Sequence, residues 1–74
     1  MKKNLIAALQ SKLLGEQAVA LAEIDLMLDN PRVIPEHTNF MVELESKFAT
    51  LAEITDKLEA IDSYETSYTS QQKA

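Results

Sequence analysis

Cysteine and tryptophan are missing from this 74-residue sequence, and glycine and histidine occur once each. Without Cys there is no disulfide and no thiolate zinc site. One His cannot anchor a His-based metal cluster within a single chain. The lone glycine, Gly15, lies inside a helical pattern, so no glycine-rich loop is available to cradle phosphate. Neither Gly-x-Ser-x-Gly nor His-Glu-x-x-His occurs. Long apolar runs are missing as well. Met1-Lys2-Lys3 followed by Leu5–Leu9 has the outline of a signal peptide, but the run stops after five residues. A signal peptide needs about 7–15. The sequence therefore predicts a cytoplasmic protein with no membrane contact.

Basic charge is scarce too. Seven Lys and Arg stand against twelve Asp and Glu, for a net charge of -5. The basic residues are scattered rather than clustered, which argues against a nucleic-acid partner, because phosphate contacts need grouped Lys and Arg. What the chain does have is apolar residues, 46% of the total. That content suits a small helical domain better than a disordered one. A chain of this size buries only about 60% of its unfolded surface, so its core is marginal alone. With disulfides and metals excluded, the expected support is self-association or a protein partner.

Periodicity predicts an all-α antiparallel two-helix hairpin assembling into a four-helix bundle or larger oligomer. The hairpin spans 1–62, with helices over about 4–29 and 38–62 and a loop over about 30–38. In the first helix Ile6, Leu9, Leu13, Ala20, Ile24, Met27 and Leu28 share a stripe, with Leu14 and Leu21 at its edge. In the second, Phe40, Leu44, Phe48, Leu51, Thr55, Leu58 and Ile61 do so, flanked by Met41 and Ile54. The expected register sets Leu28 near Phe40, Ile24 near Leu44, Leu21 near Phe48, and Leu9 near Leu58 or Ile61. Asn4 is the expected cap of the first helix, and Asn30-Pro31 its stop, since proline disfavours helical geometry at the preceding residue. Pro35, Glu36, His37 and Thr38 turn the chain and start the second helix, with His37 or Thr38 as its cap. Residues 63–74, "SYETSYTSQQKA", are polar and predict a frayed end and a flexible tail.

The first helix carries a second apolar strip. Ala8, Gly15, Val19, Ala22 and Leu26 lie roughly 150° from the centre of the first stripe. Small side chains admit a close helix neighbour, so this strip is the predicted oligomer or partner interface. The plainer reading is that alanines are good helix formers and a single exposed Val or Leu needs no explanation. Gln10 and Gln17, seven apart, either bond outward at the stripe's boundary or sit within an interface and set its register.

Little suggests chemistry. Glu36-His37 is the one acid–base pairing, and a helix start accounts for it without a substrate pocket. Glu43, Glu45, Glu53, Asp56, Glu59 and Asp62 are a solvated face rather than a calcium loop, which wraps its oxygen ligands around a turn. The sequence thus predicts no catalytic residue, no cofactor, no metal and no small-molecule substrate. It predicts a non-enzymatic interaction or structural module. The alternative is a small acidic inhibitor whose second helix mimics nucleic acid or binds a basic host protein.

The succession "NLIAAL", "LDNP", "IPEH" and "ELESKFATLAEITDKLEAI" resembles small helical-hairpin proteins of tailed phages of marine bacteria. The resemblance covers about residues 4–62. It rests on an Asn-Pro turn at Asn30-Pro31, a Glu-His pair at Glu36-His37 and the "LAEITDKLEAI" ending. This chain departs from it in carrying "RVIP" where a more glycine-rich connection is expected. The resemblance implies a phage accessory or virion-associated role without enzymatic activity, in the host cytoplasm or the particle.

Overall fold

The computed structural model of the protein describes the backbone of residues 1–30 and 37–73 and the side chains of 1–30 and 39–67. Two helices make up the described residues: α1 (Lys2–Asp29) and α2 (His37–Lys73). At 1.5 Å per residue they are about 42 and 56 Å long. The molecule measures 58 × 17 × 14 Å, so its length is that of α2 and its other dimensions are those of two helices side by side.

Met1 caps α1 through its backbone, its carbonyl accepting from the Leu5 N–H at 3.0 Å. Asn4 is therefore not the cap: it lies inside the first turn and is exposed. Lys2 and Lys3 are good helix formers, and with nothing to stop them the helix extends to the chain end. Asn30 closes α1. Its N–H donates to the Leu26 carbonyl at 3.0 Å and its side-chain Nδ2 to the same oxygen at 3.5 Å, with ψ at 63°. That ψ leaves the helical region, as a residue before proline is biased to do. The second helix does not end near 62. It continues to Lys73, through residues expected to form a tail. No Gly or Pro follows Pro35, so no backbone feature ends it earlier.

The residues that are not exposed form one row on each helix. On α1 they are Ile6, Gln10, Leu13, Gln17, Ala20, Ile24 and Met27; on α2, Phe40, Leu44, Lys47, Leu51, Ile54, Leu58, Ile61 and Glu65, with Thr55 beside the row. Both rows advance by alternating steps of four and three, the repeat of a coiled-coil seam. The pair is an antiparallel coiled-coil hairpin. Leu13, Ala20, Ile24 and Ile54 are its buried residues, at 3–5% exposure. Leu51, Leu58 and Ile61 pack against the cluster of Leu13, Ala20 and Ile54.

The polar members of the rows set the register. Gln10 donates from Nε2 to Glu65 Oε1 at 3.2 Å across the seam. Stepping inward from that bond along both rows places Leu13 level with Ile61, Ala20 with Ile54 and Ile24 with Leu51. The expected pairing of Ile24 with Leu44 is displaced by one repeat of seven. The side chains change accordingly. Leu9, Leu21, Leu28 and Phe48, expected in the seam, are each about half exposed. Ile54, expected on the flank, is the most buried side chain of α2 among those described. Gln17, like Gln10, is half-buried in the row rather than turned outward.

Candidate functional site

A two-helix hairpin has two broad sides, and in an antiparallel pair they have different sequence rules. Residues that follow a seam position by one share one side on both helices. Those that precede the other set of seam positions share the opposite side. The two sides of this protein differ in chemistry.

The first side is charged. Glu16 and Glu23 on α1 face Thr50 and Lys57 on α2 across an open groove of about 670 Å³. Ala20 and Ile54 line it below, and Lys12, Gly15, Val19 and Glu53 complete its walls. Its ionic groups pair with one another. Lys12 Nζ lies 2.8 Å from Glu16 Oε2 and Lys57 Nζ 3.3 Å from Glu53 Oε1, each one turn apart on its own helix. Lys47 Nζ reaches Glu23 Oε1 at 3.2 Å, tying the helices together. The hydrogen bond from Lys12 holds the Glu16 carboxyl below the ordinary glutamate value, with the charges of Lys12 and Lys57 adding to the effect. The groove has the size of a ligand cleft but lacks convergent unpaired polar groups, which fix a ligand's orientation.

The second side is apolar. Leu14, Leu21 and Leu28 follow the seam residues Leu13, Ala20 and Met27, and Met41 and Phe48 follow Phe40 and Lys47. All five are 46–53% exposed. They repeat every seven residues on each helix, so they form two parallel rows on one face. Ala18 and Ala52, both exposed, lie beside these rows and widen the face without raising it. The α2 row continues into Thr55 and Asp62, and Asp25, Glu45 and Glu59 share the flanking rows of Ala18 and Ala52, so the apolar face has an acidic rim. Apolar residues at both seam positions and at the one following are the pattern of a helix in a bundle, wider than a two-stranded seam needs.

The predicted interface strip has a third location. Ala8, Gly15, Val19, Ala22 and Leu26 are all exposed; Gly15 and Val19 edge the charged groove, and Ala8, Ala22 and Leu26 lie farther round α1, away from α2. The hairpin does not cover them, and a Cβ added at Gly15 would meet nothing within 4 Å. The strip is confined to one helix, whereas the leucine and phenylalanine face extends over both. Sequence periodicity alone placed Leu14, Leu21 and Phe48 at or near the seam. The signal that separates them is the unbroken four–three spacing, visible only when Gln10, Gln17, Lys47 and Glu65 are counted as seam residues.

Of the loop and cap residues, Asn30 is the C-cap described above. Pro31, Pro35 and Glu36 lie outside the described residues. His37 and Thr38 are the first residues of α2, and their side chains lie outside the described set. The six carboxylates Glu43, Glu45, Glu53, Asp56, Glu59 and Asp62 are exposed and distributed around α2 rather than in one row. Among the described residues no three His, Asp or Glu side chains are placed to hold a metal ion. No helix among them is long and apolar enough to cross a membrane. No protein-family model matches this chain, and no curated protein or solved structure matches it either.

Proposed function

We propose that this protein is a non-enzymatic interaction module that works by burying an apolar helix face against another protein surface. The observation that carries the reading is the exposed double row of Leu14, Leu21, Leu28, Met41 and Phe48. Contiguous apolar patches of this kind are uncommon on soluble monomers and mark association sites. The internally paired charges of the opposite groove support it, because they leave no polar set aimed at a substrate. The resemblance to phage helical-hairpin proteins fits an accessory or virion-associated setting for such a module.

The alternative reading is an acidic inhibitor. A mimic of duplex phosphate needs its carboxylates in rows, and the distribution of the six around α2 favours the apolar-face reading over it. The test compares the full-length wild type with a Leu21→Glu/Phe48→Glu double substitution in affinity capture from the native host and in sedimentation. Specific capture or self-association that the double substitution abolishes is the expected result. The reading is overturned if the wild type stays a folded monomer and captures the same proteins as the doubly substituted chain.

A further inference from the structure

We infer that the occupant of the Leu14, Leu21, Leu28, Met41 and Phe48 face is a second copy of this chain, so that two hairpins stack face to face as a four-helix bundle. The inference rests on the interaction-module reading above and names its partner.

Two observations point to a second copy, and a third sets the salt dependence of its association. The first is area. The chain exposes 5870 Å², whereas a compact monomer of 8.3 kDa exposes about 4,600 Å² by the usual size scaling. The excess is on the order of 1,300 Å². A standard-size interface removes about 800 Å² from each partner, so one stable dimer contact fits within it. The radius of gyration agrees: 17.0 Å against about 11 Å for a compact domain of this length.

The second is pattern. Both helices contribute to the face, α1 through Leu14, Leu21 and Leu28 and α2 through Met41 and Phe48, before its row turns polar at Thr55 and Asp62. A self-complementary face of this kind suits a two-fold contact, in which the same patch serves on both subunits. The face lets helices of one hairpin settle between those of another in bundle packing.

The third is charge. The acidic residues Asp25, Glu45, Glu59 and Asp62 rim the five apolar side chains, while the ionic groups of the opposite groove are paired with one another. Two copies, each at -5, meet with like charges around the rim of the apolar contact. Salt then strengthens their association by screening the remaining repulsion, whereas it weakens binding to a basic protein.

The experiment is sedimentation equilibrium of the full chain from low to high micromolar concentration, paired with thiol reactivity. The chain has no native cysteine, so Leu21→Cys, Phe48→Cys, Val19→Cys and Leu26→Cys each report one position. A mass of twice 8.3 kDa is expected, tightening with added salt. Cysteines at 21 and 48 should become protected from a maleimide as concentration rises, while those at 19 and 26 stay reactive. Leu21→Glu/Phe48→Glu should weaken the dimer by roughly 100-fold or more, since central apolar contacts dominate an interface. The thiol readout needs no charged substitution and holds if the doubly substituted chain fails to fold. Protection at 19 and 26 instead of 21 and 48 overturns the face assignment. A monomeric mass at all concentrations with no protection overturns the second copy. In that case host capture by the wild type but not by the doubly substituted chain still decides the interaction-module reading separately.

Discussion

Leu13→Ala should destabilise the hairpin by about 3–4 kcal/mol, and Ile54→Ala by about 2–3 kcal/mol. Both side chains are nearly fully buried, at 3% and 5% exposure, and each substitution removes three carbons. At about 0.8 kcal/mol per buried methylene the transfer loss is roughly 2.4 kcal/mol in both cases. The difference lies in the space left behind. Leu13 belongs to the cluster against which Leu51, Leu58 and Ile61 pack and does not line the groove, so its removal leaves a closed cavity. That adds on the order of 1 kcal/mol. Ile54 lines the open groove, and the vacated volume joins solvent instead. Leu26→Ala, at 62% exposure, should stay within about 0.5 kcal/mol of wild type. Urea unfolding followed by far-ultraviolet circular dichroism at one fixed protein concentration measures all three. A core of this size rarely supplies more than about 3–5 kcal/mol, so Leu13→Ala should leave much of an isolated hairpin unfolded even without urea. A loss for Leu13→Ala no larger than for Leu26→Ala would refute the seam. A greater loss for Ile54→Ala than for Leu13→Ala would refute the open-groove argument.

Three further outcomes are expected. Gly15→Ala should raise stability by about 0.5–1 kcal/mol, because the added methyl meets open space and the helix loses a flexible residue. A fall in stability, read by the same urea titration, would show that the space beside Gly15 is closely covered. Glu65→Ala should cost about 1 kcal/mol by loss of the bond from Gln10, while exposed Glu59→Ala stays near zero. Equal effects in thermal melts would contradict the register. In a carboxyl NMR titration Glu16 should protonate below ordinary glutamates, and Lys12→Met should move its midpoint upward. Because the folded-state value is depressed, the associated stabilisation is present at neutral pH. It is lost as pH falls through the folded midpoint, and it is small because the pair is exposed. An unshifted midpoint in the wild type would contradict the Lys12–Glu16 contact.

Much of the architecture was legible in the residues. The two helical stripes, the Asn30 stop and the antiparallel pairing all follow from spacing and from the proline-bearing segment between the helices. The register was less legible, and particular residues show why. Apolar side chains surround α1 on nearly every side, so periodicity alone cannot say which of Leu13, Leu14, Leu9 or Leu26 meets α2. The expected α2 row took Phe48 and Thr55 where the structure has Lys47 and Ile54, and the expected pairing set Ile24 beside Leu44, seven residues from Leu51. Gln10, Gln17, Lys47 and Glu65 belong to the seam because its edges are half open. There an amide can bond a carboxylate and a lysine can extend its ammonium to a glutamate while the stems remain packed. The candidate site moved for the same reason. Rotating α2 so that Ile54 enters the seam turns Phe48 out, onto the face that also presents Leu21.

By itself the sequence determined that this protein is two helices with a thin seam between them. Alternating steps of four and three are a property of the backbone period, and the absence of Cys and the scarcity of Gly leave no other support for so small a core. The tertiary structure decided which apolar residues are spent within the hairpin and which remain outside it. That choice depends on how two helices rotate and slide against each other. One cross-seam bond from Gln10 to Glu65 and one ion pair from Lys47 to Glu23 mark the outcome. They leave the paired charges of the groove on one side and exposed leucine, methionine and phenylalanine on the other.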